Sequence, residues 1–150
     1  KTILETLAEL ALAGSPRIVI FACRWGAEAA QLDDCATAAV EFLCAAMVPP
    51  SFVEYALRAG ADGVLVAGCR EGDCEFRAGD ALTAGRLDAA RAPALRPTVP
   101  RERVRLVPAG RSDLAGLRAQ LDRFRADLES LGPRARRHAL PPKRQEKRHG

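Results

Sequence analysis

Residues 62–69 read D-G-V-L-V-A-G-C, and this stretch decides the fold. An unbroken run of small and branched apolar side chains predicts a strand over Gly63–Ala67 that is covered on both faces. Strands of that kind belong to parallel sheets flanked by helices. Working outward, R-I-V-I-F-A-C predicts a strand over Arg17–Cys23, A-V-E-F-L-C one over Ala39–Cys44, and R-V-R-L-V one over Arg103–Val107. Helical stretches fall between them. The first, near Ala27–Asp34, is poor in large apolar residues. The second follows Pro49-Pro50, with Ser51 as its expected cap and Gly60 as its stop. A third is predicted over Ala81–Ala90. In the last, expected to be capped by Ser112 and stopped by Gly132-Pro133, Leu114, Leu117, Leu121, Phe124, Leu128 and Leu131 recur at steps of three and four. That spacing predicts one apolar stripe laid on the sheet; a coiled-coil seam is the competing reading. Alternation of strands with helices implies right-handed crossovers. The expected fold is α/β, a small flavodoxin-like three-layer sandwich on a mostly parallel four-stranded sheet.

The chain of 150 residues suits one core. Three segments are expected: an N-terminal helix and linker over 1–16, with Ile3, Leu4, Leu7 and Leu10 on the helix, a folded body over 17–132, and a basic, disordered tail over 133–150. A first residue of Lys1 rather than Met marks the start as an expected fragment boundary or processed end. The net charge is +4, but the tail carries Arg134, Arg136, Arg137, Lys143, Arg144, Lys147 and Arg148 against Glu146. The basic character therefore belongs to the tail, and the body is slightly acidic. The tail contains no aromatic residue, so stacking on single-stranded nucleic acid is not expected. No apolar run of membrane-spanning length and no secretory signal is visible. Five cysteines cannot all pair within one chain. Reduced or metal-bound thiols, and with them a cytoplasmic location, are expected.

Four of those cysteines fall at strand ends or one loop beyond. Cys23, Cys44 and Cys69 each close a predicted strand, and Cys74 follows in G-C-R-E-G-D-C. Open α/β sheets bind their ligands beyond the carboxyl ends of the strands. Four thiols delivered there make a metal or cluster site. Thiolates select zinc, copper(I) or iron–sulfur centres, and spacing alone does not choose among them. The competing reading of each cysteine taken singly is a small buried hydrophobe. Gly68, Gly72 and Gly79 let the backbone pass close to a bulky centre and aim amides at its sulfurs. Cys35 stands away from the strand ends and is read as a core or surface thiol. Trp25 is expected to pack beside the site. No histidine lies in the body and neither G-x-G-x-x-G nor a P-loop is present, which sets aside a Cys–His nucleophile and nucleotide-cradling chemistry.

The stretch A-D-G-V-L-V-A-G-C-R-E-G-D-C-E-F-R-A-G-D (61–80) resembles the signature of the iron–sulfur delta subunit of methyl-viologen-reducing hydrogenase, approximately G-A-D-G-V-L-V-x-G-C-H-P-G-D-C-H-Y-x-x-G-N. F-A-C-R-W (21–25) is similar to that family's C-x-W-C segment, and F-L-C-A-A-M-V-P-P-S-F-V (42–53) to its M-C-S-G-R-V-D-P-x-F-V. The resemblance covers roughly Arg17–Leu131. It implies a non-catalytic redox subunit of an oxidoreductase complex, holding a 2Fe–2S cluster on Cys23, Cys44, Cys69 and Cys74. It also implies partners: a hydrogenase or formate dehydrogenase on one side, and on the other a flavin-containing protein like the A subunit of heterodisulfide reductase. The second cysteine of C-x-W-C is Gly26 here, and Glu75-Phe76 replaces His-Tyr. The alternative is therefore a degenerate zinc-bound or metal-free assembly module. A thiol–disulfide switch of Cys69 with Cys74 is a third reading.

Overall fold

The computed structural model describes residues 15–133. The helix expected over Lys1–Ala13 and the basic stretch from Arg134 onward lie outside the described residues. Four strands, β1 (Ile18–Cys23), β2 (Thr37–Phe42), β3 (Gly63–Gly68) and β4 (Val104–Pro108), form one sheet in the order β2-β1-β3-β4. Every neighbouring pair is parallel. β1 and β3 are buried at every position, as their unbroken apolar runs require.

Side-chain alternation sends the strands' apolar groups into two layers. Val19, Phe21, Val64 and Val66 meet α1 (Pro50–Arg58), the buried Leu87 of α2 (Gly79–Leu87), and Leu95 and Val99 of the connection that follows. Ile18, Ile20, Leu65 and Ala67 meet α3 (Leu114–Leu131) and Leu32 of a single 3-10 turn at Ala29–Leu32. That turn replaces the helix expected near Ala27–Asp34; a stretch so poor in large apolar side chains has no face with which to anchor a longer one. On α3, Leu117, Leu121, Phe124 and Leu128 are buried, so the stripe lies on the sheet, with Leu114 half-buried and Leu131 outside it.

Three local expectations are corrected. β2 sits two residues earlier than read, because Thr37 pairs with Ile18 and its hydroxyl accepts a 2.7 Å hydrogen bond from Arg125. Ser51 does not cap α1: Pro50 starts the helix, where a missing N–H costs nothing. Asp113, not Ser112, caps α3, its Oδ1 accepting from the Gly116 amide at 3.2 Å.

Buried cations tie the amino edge of the sheet together. The Arg17 amide donates to Asp62 Oδ2 at 2.8 Å, joining the starts of β1 and β3. Arg103, only 8% exposed, donates to the Asp62 carbonyl at 3.0 Å and to the Gly132 carbonyl at 2.9 Å, fastening the end of α3. Replacing a charged donor that satisfies two buried carbonyls costs about 1.5–3 kcal/mol. Arg103→Met is expected to lower the urea midpoint accordingly with an unchanged slope. A midpoint within error of the parent would show that these bonds contribute nothing.

Among the described residues no helix is long and apolar enough to cross a membrane.

Candidate metal centre

From β1 the chain moves to one side for β2, then crosses to the other side for β3. The crevice beyond the carboxyl ends of β1 and β3 is therefore the topological switch point, where open α/β sheets place their ligands. Cys23 is the last residue of β1, and Cys69 comes one residue after β3. Their sulfurs are 3.6 Å apart. Two thiolates on one tetrahedral metal, with bonds near 2.3 Å, stand about 3.8 Å apart.

The other two sulfurs arrive on connections. Cys44 lies two residues past β2 and opens a 3-10 turn at Ala45–Met47, so a turn rather than a strand end aims it. Arg86 of α2 holds that turn by donating to the Ala46 carbonyl at 2.5 Å. Cys74 lies in the loop before α2, whose first residue, Gly79, donates its amide to Cys74 Sγ at 3.2 Å. A Cβ on Gly79 would stand 2.5 Å from Cys44 Sγ and 2.7 Å from Cys74 Sγ. Gly79 is thus a cradle floor for this pair. Gly68 and Gly72 are not: a Cβ on Gly68 makes only ordinary contacts, and one on Gly72, at φ +82°, meets nothing within 4 Å.

All four cysteines are buried in the α1/α2 layer, between 3% and 9% exposed. Sequence position alone does not bring them to one layer; alternation does so for Cys23, which follows Val19 and Phe21 on the same face. Burial, the hydrogen bond shared with Cys23 and the nearby Cys23, Cys74 and Cys44 sulfurs push the Cys69 thiol up to about 12. Burial also raises Cys44, partly opposed by the Ala46 amide and reinforced by Cys74 and Cys23. Thiolates this close repel one another, so without a metal Cys69 and Cys44 keep protons that a bound cation would expel.

The sign of the resulting pH dependence follows. Below about pH 9 the Cys69 thiol is protonated in folded and unfolded chains alike, and its contribution to stability does not change. Between about pH 9 and pH 12 the unfolded chain has lost a proton that the folded chain still holds, so stability falls as pH rises. Urea midpoints of the reduced, metal-free protein are expected to drop across that window, and those of Cys69→Ala to drop less. Identical slopes for the two proteins would refute this.

Cys35 is exposed and precedes β2, at the opposite edge of the sheet, so it does not join the four. At Gly26 a side chain would meet the Ala109 carbonyl 3.0 Å from its Cβ. Trp25 packs against the cysteine-bearing layer as expected, under the Arg111 guanidinium at 5.1 Å from the ring centre. Its indole N–H is buried without a hydrogen-bond partner among the described residues. The two near pairs are Cys23/Cys69 and Cys44/Cys74, not the Cys69/Cys74 pair of the switch reading. No three His, Cys, Asp or Glu side chains among the described residues surround one point as ligands of a single ion.

Sequence reasoning missed the supports. Arg86 is one. Arg70 is another: it donates to Asp113 Oδ2 at 2.6 Å and so ties the residue after Cys69 to the cap of α3. That hydrogen bond, with the Arg70 charge, holds the Asp113 carboxyl below its usual range. Arginines outside the cysteine motif carry no local signal for such long-range contacts.

Comparison with known proteins agrees with this frame. The chain is 36% identical over 73 residues to the D iron-sulfur subunit of the vhc F420-non-reducing hydrogenase of Methanococcus voltae, covering 43% of this chain and 51% of that one. It is 31% identical over 126 residues to the D iron-sulfur subunit of the F420-non-reducing hydrogenase of Archaeoglobus profundus, covering 79% and 92%. It is also 31% identical over 126 residues to the A subunit of the Ferredoxin/F(420)H(2)-dependent CoB-CoM heterodisulfide reductase of Methanosarcina acetivorans, covering 79% of this chain but 16% of that longer one. The chain thus spans about half of the first relative and a small part of the third. A family model described as methyl-viologen-reducing hydrogenase, delta subunit, matches residues 18–132, the whole span from β1 to the end of α3, and the chain belongs to that family.

Proposed function

We propose that the chain is an electron-transfer subunit that carries a 2Fe–2S cluster on Cys23, Cys44, Cys69 and Cys74. On this reading it relays electrons between a hydrogenase or formate dehydrogenase and a flavin-containing partner like the A subunit of heterodisulfide reductase. The observation that carries the proposal is two pairs of buried sulfurs, Cys23/Cys69 and Cys44/Cys74, close enough for the second pair to act electrostatically on Cys69. A two-iron core takes two thiolates on each iron, which suits two pairs better than one tetrahedral ion does. The family names supply the hydrogenase and heterodisulfide reductase context.

Bound there, the cluster supplies one-electron chemistry. The chain's residues do the rest. Burial keeps water from the sulfurs, the Gly79 amide offers Cys74 Sγ a hydrogen bond that favours added negative charge, and Arg86 and Arg70 fix the loops. Gly26 favours the alternative of a zinc-bound or metal-free assembly module, but the four remaining sulfurs already complete a set.

Anaerobic purification and reconstitution test this. The expected result is about two irons and two inorganic sulfides per chain, visible charge-transfer absorption, and loss of both in Cys44→Ala and Cys69→Ala. A colourless protein with zinc or no metal would remove the proposal.

A further inference from the structure

Four large apolar side chains are exposed among the described residues: Leu43, Met47, Phe76 and Leu131. Single exposed apolar residues need no explanation. Three of these four, however, lie on the two connections that carry Cys44 and Cys74. Leu43 precedes Cys44, Met47 ends its turn, and Phe76 is two residues beyond Cys74. They are 45%, 58% and 49% exposed, while the two cysteines are 6% and 9% exposed. The Cys23/Cys69 pair has no such residues at its flanks: Arg24 and Arg70 follow those cysteines and are ion-paired to Glu41 and Asp113.

The loop that carries Cys74 and Phe76 is acidic. Glu71, Asp73 and Glu75 are exposed and form no ion pair among the described residues. Arg77 is the one countercharge on that loop, since Arg70 is held by Asp113. In the Methanosarcina relative the matching segment is 16% of a longer chain, so there the unit shares its polypeptide with further protein.

We infer that the face carrying Leu43, Met47 and Phe76 docks a second protein, a redox partner that is apolar at the centre of its contact surface and basic at its rim. Electrons cross on the Cys44/Cys74 side. The inference rests on the proposed function for the electron step, but not for the docking itself.

Ferricytochrome c, a basic haem protein, is the probe. One electron leaves the cluster, previously reduced with stoichiometric dithionite, and reduces ferric haem to ferrous; no bond or proton is exchanged. The full chain has a net charge of +4, so overall charge alone predicts repulsion of this probe. The docking face predicts attraction, with a stopped-flow rate that falls as salt is added. E71K/D73K/E75K is expected to slow the reaction about tenfold or more and to reverse the salt slope. M47S/F76S is expected to slow it at every salt concentration. Reaction with the small dye methyl viologen stays unchanged in M47S/F76S.

Calorimetric binding of ferricytochrome c to the cluster-free proteins reads the same order without the relay. Equal binding by parent and E71K/D73K/E75K overturns the docking face while leaving the cluster reading intact. Predicted binding by a protein that takes up no iron does the reverse. A dimer dispersed by F76S assigns the face to a second copy and overturns the inference.

Discussion

Gly79→Ala is expected to yield a folded protein that binds iron roughly 10–100-fold more weakly than the parent, the usual range for damage to the support of a metal site. The added Cβ stands 2.5 Å from Cys44 Sγ and 2.7 Å from Cys74 Sγ, closer than real contacts allow. In the metal-free chain both thiols can turn about χ1, so the cost to folding is that of mild overpacking, about 1–3 kcal/mol. A metal removes that freedom by fixing both sulfurs at once, and the clash then falls on binding. Gly85→Ala, in the same helix, is the control: its Cβ meets only the Arg91 Cβ, at 3.4 Å, and iron uptake is expected to be normal. Chelator competition reads both. Parent-like affinity in Gly79→Ala would show that the pair is not a ligand pair.

The second large effect concerns stability. Phe124 is fully buried between α3 and the sheet, and Phe124→Ala is expected to cost about 3–5 kcal/mol. Its partner is Gly63, the first residue of β3, where a Cβ would meet Phe124 at 2.8 and 2.9 Å and Leu128 Cδ1 at 2.5 Å. Gly63→Ala alone is expected to cost about 1–3 kcal/mol. In the Phe124→Ala background the ring is gone and only Leu128 must give way, so the second change costs about 0.5–3 kcal/mol less than it does alone. Urea unfolding of the four proteins measures that coupling. Strict additivity would mean that α3 does not press on Gly63.

The parts of the fold that could be read were those set by local pattern. The apolar runs of β1 and β3 and the stripe of α3 each announce burial by their own periodicity, and the parallel topology follows from their alternation. The misreadings lie where distant contacts decide. Thr37 belongs to β2 because Arg125, far along the chain, bonds its hydroxyl. Ala29–Leu32 stays a single turn because few apolar side chains anchor it. α2 begins at Gly79 rather than Ala81, where its first amide meets Cys74. At the candidate site, the placement of Cys23 and Cys69 at strand ends was legible from the sequence. The division of the four cysteines into Cys23/Cys69 and Cys44/Cys74 was not, since it depends on strand order, side-chain parity and the floor made by Gly79. The separateness of Cys35 was legible too, since it precedes a strand instead of closing one, and the thiol is exposed.

Cys23 and Cys69 hang from the two strands that are bonded on both sides, whereas Cys44 and Cys74 hang from short connections. Connections fray before central ladders do. One local opening therefore strips two sulfurs away and leaves the other two standing on the sheet. On the proposed cluster reading, oxidants or chelators would enter from that side, and reassembly would start from the anchored pair.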